Sequence, residues 1–132
     1  MTRFEYETEI DVRYSDLDSL GHVNNAVYAT YLELARVRYL QDAFDAPAEE
    51  PDFVVAHLEL DFLEPITELT TVTVGVGVED VGRTSFDLAY EVESDGSLAV
   101  RGESTQVTVD EEGRPAPIPE EWRAVLEAHE RD

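Results

Sequence analysis

Apolar and polar residues alternate along most of this chain, and one long stretch instead follows a helical period. Phe4, Tyr6, Ile10 and Val12 are apolar at mostly even positions up to Tyr14, which predicts a strand with one buried face. Ser15 to Asn25 is polar and is broken by Gly21, so it predicts a loop. From Ala26 to about Phe44, Tyr28, Leu32, Ala35 and Tyr39 recur at helical spacing, as do Val27, Tyr31 and Leu34. Two adjacent stripes cover a wide arc, so the predicted helix should be largely buried. Asn24 or Asn25 can cap its start, and Asp45 to Asp52, with Pro47 and Pro51, ends it.

The rest predicts strands. Leu58, Leu60 and Phe62 alternate with polar neighbours until Glu64-Pro65 interrupts, and Val72, Val74, Val76 and Val78 form a second alternating run. A turn at Asp80 to Gly82 leads to a third, through Phe86, Leu88, Tyr90 and Val92. Asp95-Gly96 is a strong two-residue hairpin signal, since both residues tolerate positive φ. Leu98, Val100, Val107 and Val109 mark the last strand. Its apolar parity flips between Val100 and Val107, which predicts a bulge near Gly102. A short helix from Glu120 to about Glu130 follows Pro115, Pro117 and Pro119. The expected order is strand, long helix, then four strands in hairpin succession. That gives an α+β fold in which a curved antiparallel sheet of about five strands wraps one buried helix. Gly75 and Gly77 would help the sheet bend.

The length of 132 residues suits a single domain spanning 1–132, and an apolar fraction of 42% suffices for a core. The net charge is −22, and all nine cations are arginine. So acidic a chain would repel nucleic acid and anionic membranes, which excludes both as expected partners. Its acidic residues are scattered, which suggests a solvated coat and a salt-adapted, halophilic source. With no cysteine, disulfides, thiolate metal sites and cysteine nucleophiles are excluded. The charged, alternating N-terminus has no apolar signal core, and no apolar run reaches the length of a membrane span. A soluble cytoplasmic protein is the expectation.

Chemistry concentrates in the stretch Tyr14 to Tyr28, which sets a carboxylate, a glycine and a histidine just before the helix. The free N–H groups of a helix start carry partial positive charge and can stabilise an oxyanion. A nearby carboxylate can attack a thioester carbonyl or deprotonate a water, without metal or cysteine. Asp18 is the candidate carboxylate, although an aspartate here can also simply cap a turn. Asp16 is read as a loop cap or charge partner. His22 either orients the carbonyl, shares a proton with Asp18, or bonds backbone. Glu33 and Arg36 are three apart on one helix face, which suits a local ion pair, with a bond from Glu33 to the site as the alternative. Arg36, Arg38, Arg83 and Arg101 are candidates for coenzyme A phosphates. His57 and His129 are read as surface residues, and the three histidines lie too far apart for metal-ligand spacing.

The pattern D-x-D-x-x-G-H-V-N-N-x-x-Y, followed by E-x-A-R, resembles the thioesterases of the 4-hydroxybenzoyl-CoA type. The likeness continues in L-x-F-L-x-P-I at Leu60 to Ile66, R-x-S-F at Arg83 to Phe86 and P-x-P-I-P near the end. It implies a hot-dog fold and hydrolysis of an acyl-CoA substrate, with no cofactor and no metal. By matching position it implies Asp18 as catalytic carboxylate, either nucleophile or general base, and the Asn25 N–H as oxyanion hole, with His22 beside them. Asn24, Tyr28, Glu33, Arg83 and Ser85 become substrate-binding candidates. Plant acyl-carrier-protein thioesterases are similar in D-x-N-x-H-V-N-N, but their middle asparagine falls on Leu20, so that triad is incomplete here. Some bacterial members carry a histidine where this chain has Asn25. The resemblance further implies a homodimer or a homotetramer built as a dimer of dimers, with active sites between protomers. A hot-dog enoyl-CoA hydratase and a non-catalytic acyl-CoA sensor are the alternatives. If the acidic coat is a salt adaptation, the melting temperature rises between low and molar KCl.

Overall fold

The computed structural model describes residues 4–42 and 51–131. Its order is β1 (Tyr6–Asp11), α1 (Asn25–Asp42), β2 (Phe53–Phe62), β3 (Thr71–Val81), β4 (Ser85–Ser94), β5 (Ser97–Thr108) and α2 (Glu120–Ala128), with a 3-10 turn at Tyr14–Asp16. The expected helix end at Phe44 and the breaker Pro47 lie outside the described residues. All five strands form one antiparallel sheet in the order β1-β3-β4-β5-β2. The alternating valines of β3 and Phe86, Leu88, Tyr90 and Val92 of β4 are buried against Tyr28, Leu32, Ala35 and Tyr39 of α1. This is the hot-dog arrangement. Gly102 on β5 permits the close approach, since a Cβ there would meet Leu32 Cδ1 at 2.9 Å.

Several sequence readings need correction. The four later strands are not all in hairpin succession. β2 is an edge strand paired only with β5, and the segment 63–70 crosses the sheet to reach β3. Alternation reveals a strand's buried face but not its neighbour, so the crossover left no mark in the pattern. The bulge lies not near Gly102 but at Ala99, where Val92 pairs with Val100 and Glu93 with Leu98. The Ala99 carbonyl then accepts the Leu63 amide at 2.8 Å and the Glu64 amide at 3.2 Å, which pins the crossover. The parity flip is real but has another cause. Ser104, Gln106 and Thr108 point inward, and Val107 and Val109 are half-buried outside. These inward polar groups are satisfied: Ser104 and Tyr90 share a 2.6 Å hydrogen bond, Gln106 Nε2 donates to the Phe86 carbonyl at 3.0 Å, and Thr108 donates to the Thr84 carbonyl at 3.0 Å. The helix is buried along one stripe only, because a single sheet covers one side; Leu34 remains 36% exposed and Val37 45%. Gly77 does more than ease bending. The Arg131 guanidinium stacks on Phe4, and the Arg131 stem occupies the place of a Gly77 Cβ.

The Asp95-Gly96 hairpin is as expected, with φ of 51° and 81°. So is the structural role of Asp16, which is 1% exposed. Its carboxylate accepts the Arg13 amide at 2.9 Å, the Arg13 guanidinium at 3.1 Å and the Tyr31 hydroxyl at 2.7 Å. Burial opposes its charge, but the Arg13 amide, the Tyr31 hydroxyl and the Arg13 guanidinium outweigh burial and hold the carboxyl below the ordinary range. A depressed carboxyl stabilises the fold fully above its unfolded pKa and loses that contribution as pH falls through the folded value. Asp16→Asn is therefore expected to cost about 2–3 kcal/mol at pH 7, with the gap to wild type closing below about pH 4. Urea unfolding of both proteins across that range measures it.

Candidate functional site

The loop between the 3-10 turn and α1 is built around Asp18. Its Oδ1 accepts the Leu20 amide at 2.9 Å and the His22 amide at 3.2 Å, while its own amide donates to the His22 carbonyl at 2.7 Å. Gly21 turns the chain with φ of 76°, a conformation that suits glycine. Leu17 and Val23 close the loop as an isolated bridge, and Val23 is buried beneath it. Oδ1 is thus consumed by the loop, and Oδ2 is given no hydrogen bond among the described residues.

Asn24 caps α1. Its Oδ1 accepts the Ala26 amide at 2.8 Å and its carbonyl accepts the Val27 amide at 2.9 Å. Its own amide donates to the Asp16 carbonyl at 2.9 Å, which fixes the cap on the clamp below. The Asn25 N–H, first in the helix, has no partner among the described residues and sits where the helix dipole favours negative charge.

The second wall comes from the crossover. The Val23 amide donates to the Ile66 carbonyl at 2.8 Å, which binds the crossover to the loop. Between them lies a cleft of about 400 Å³ that gathers Asp18, His22, Asn25 and Tyr28 against Phe62 and Leu63. The Tyr28 and Phe62 rings are 5.8 Å apart and give it an aromatic side. Burial raises the Tyr28 pKa, so its phenol stays protonated at neutral pH. The imidazole of His22 makes no hydrogen bond among the described residues. Among those residues, no three His, Asp or Glu side chains converge on a metal position.

Asp18, His22, Asn25 and Tyr28 therefore come together, with Asn24 beside them as the cap. Glu33 does not join them. It lies 3.8 Å from Arg36 and faces a different cleft. Arg83 and Ser85 lie past the far end of β3, roughly 30 Å from the loop in the same chain at a strand rise of about 3.3 Å. The residues that sequence reasoning missed are Phe62, Leu63 and Pro65. Their signal is present in L-x-F-L-x-P-I, but that pattern by itself predicts only a strand and its end, not the wall of a cleft.

Residues 12–126 match the Thioesterase-like superfamily. The chain belongs to this family. It is a thioester hydrolase of the hot-dog fold. A crystallised thioesterase from Thermus thermophilus, complexed with coenzyme A and Zn, is 44% identical over 97% of this chain and 96% of that one, with a TM-score of 0.86. The Bacillus subtilis protein YsmA is 27% identical over 117 residues, 87% of this chain and 80% of its own length. The 1,4-dihydroxy-2-naphthoyl-CoA thioesterase of Synechocystis is 19% identical and shares the fold, at a TM-score of 0.80 over 92% of this chain and 94% of that one. No helix among the described residues of this superfamily member is long and apolar enough to cross a membrane.

Proposed function

We propose that this protein hydrolyses acyl-CoA thioesters at Asp18, in the cleft between the loop and the crossover. The observation that carries this reading is one carboxylate oxygen and one helix-start amide in the same cleft, both without a hydrogen-bond partner among the described residues. The thioester carbonyl accepts the Asn25 N–H. Asp18 Oδ2 then attacks the carbonyl carbon or takes a proton from an attacking water. Negative charge gathers on the carbonyl oxygen, where the amide and helix dipole stabilise it. The C–S bond breaks and coenzyme A leaves as the thiolate, which takes a proton from solvent in the first route and from Asp18 in the second. In the first route water then opens the mixed anhydride to free acid and restores the Asp18 carboxylate. His22 stands beside the carbonyl as an orienting group.

The working unit we propose is a homodimer. β2 presents an unpaired edge, and Val54, Val55, Leu58 and Phe62 are each 41–51% exposed there. Pairing this edge with a second copy would cover both the backbone groups and the apolar side chains. An antiparallel two-fold pairing sets the Phe62 end of one β2 beside the Phe53 end of the other. The Arg83–Ser85 turn lies toward the Phe53 end, since Ser85 pairs with Val107 and Val107 with Val54. That turn of a second copy then approaches the Asp18 cleft, which accounts for Arg83 and Ser85 as substrate contacts.

Asp18→Asn keeps the oxygen that accepts the Leu20 and His22 amides, so the loop should survive the change. Thiol release from an acyl-CoA panel is expected to fall by about 10²–10⁴-fold, with circular dichroism and a dimeric sedimentation profile unchanged. Wild-type turnover in the variant, or no thiol release from any acyl-CoA by the native protein, sinks the reading.

A further inference from the structure

A second cleft, of about 820 Å³, runs along the open side of α1. One of its groups is unusual. The Arg36 side chain is nine-tenths buried, yet its nearest polar contacts are long: Nη1 to Tyr90 Oη at 3.4 Å and Nη2 to Glu33 Oε2 at 3.8 Å. Neither is the short charge-assisted bond that a buried guanidinium ordinarily makes. Of all buried side-chain nitrogens and oxygens among the described residues, only Tyr28 Oη is both sealed from solvent and unpartnered. The unbonded nitrogens of Arg36 are therefore reachable from the cleft.

The core beneath Arg36 holds it in place. Arg36 donates to Tyr90, and Ser104 donates to Gln106, whose Nε2 donates to the Phe86 carbonyl. Ser104 has spent its proton on Gln106, so Tyr90 donates to Ser104. The chain runs one way, from Arg36 to a backbone carbonyl, through Tyr90, Ser104 and Gln106, each 0% exposed. It engages Nη1 at 3.4 Å and leaves the rest of the guanidinium without a hydrogen bond among the described residues. Nη2 and Nε form the edge that a carboxylate takes in a two-point bond. The cleft walls are apolar at Leu34, Val37 and Phe53, and the first two are exposed in the single chain. Glu9, Asp11 and Glu33 also line it, which disfavours multiply charged anions.

We infer that this cleft is a second ligand site, which binds a monocarboxylate with an apolar tail through the Nε and Nη2 edge of Arg36. The tail covers Leu34 and Val37, and the carboxylate gives the guanidinium the short contact that Glu33, 3.8 Å away, does not. Acids of this kind are what acyl-thioester hydrolysis releases, but the site stands whether or not Asp18 is the catalytic group.

Calorimetric titration with sodium octanoate at pH 7.5 tests it. Wild type is expected to bind octanoate saturably, and Arg36→Gln, which can still donate to Tyr90, to bind it at least tenfold more weakly. 1-Octanol, with the same tail and no charge, should bind both proteins alike. Asp18→Asn separates the two clefts: removing a negative charge would tighten acid bound beside it, so unchanged affinity is expected. If Arg36→Gln does not fold, Val37→Glu on the exposed wall carries the test and should also weaken octanoate by tenfold. No saturable octanoate binding by wild type, undiminished affinity in the folded variant, or tighter binding by Asp18→Asn overturns the inference.

Discussion

The set of bonds made by Asp16 is the constraint on which the Asp18 loop and the start of α1 depend. It ties three separate pieces of chain together: the exit of β1 through Arg13, the second turn of α1 through Tyr31, and the helix cap through its own carbonyl and the Asn24 amide. Asn24 is held, so α1 starts at a fixed point, and the Asn25 amide presents its hydrogen in a fixed direction. A buried charge is tolerable here because its lone pairs are answered by donors rather than by a single distant cation. The two aspartates of the D-x-D pattern thus divide the work. The buried one positions, and the exposed one is left with a free oxygen.

Much of this was legible in the sequence, and the exceptions share a cause. Alternation found the strands, Asp95-Gly96 found the hairpin, and the Asn24-Asn25 pair found the helix start, because each depends on residues close together in the chain. The site residues contributed by one loop, Asp18, His22 and Asn25, came together as expected. What the sequence hid depends on which strands are neighbours. β2 reads like any half-buried strand, yet its position at the edge leaves Leu58 and Phe62 about half exposed. Ser104 and Gln106 look like surface residues, and their burial makes sense only once Tyr90, Arg36 and the Phe86 carbonyl are seen around them. Gly102 signals an irregularity, but the irregularity is a notch for Leu32 rather than an extra residue. The extra residue is Ala99, an unremarked alanine whose carbonyl anchors the crossover.

The interior is accordingly less uniform than the valine-rich strands suggest. One side of α1 packs on aliphatic β3 and aromatic β4, where shape decides the fit. Farther along, toward β5, the helix meets a line of hydrogen-bonded side chains that fixes one arginine. Both the Asp18 loop and the Arg36 line follow the same economy: a polar group is immobilised on one side so that its other side is available. In a chain of net charge −22, such local order sets the character of each cleft against an acidic surrounding field.

The crossover has a consequence for how the protein is made. Every residue lining the Asp18 cleft lies within the first 65 positions, yet the strand that carries Phe62 pairs only with β5, and β1 pairs only with β3. A nascent chain that has emerged through Pro65 holds the whole lining of that cleft and none of the sheet pairing that supports it. β1 waits for β3, which is complete at Val81, and β2 waits for β5, which is complete only at Thr108. Pairing of β2 is therefore a late, long-range closure, made after the β3-β4 and β4-β5 hairpins are available. Until then the apolar edge of β2 is bare, and synthesis is the interval in which this sequence is most exposed to aggregation.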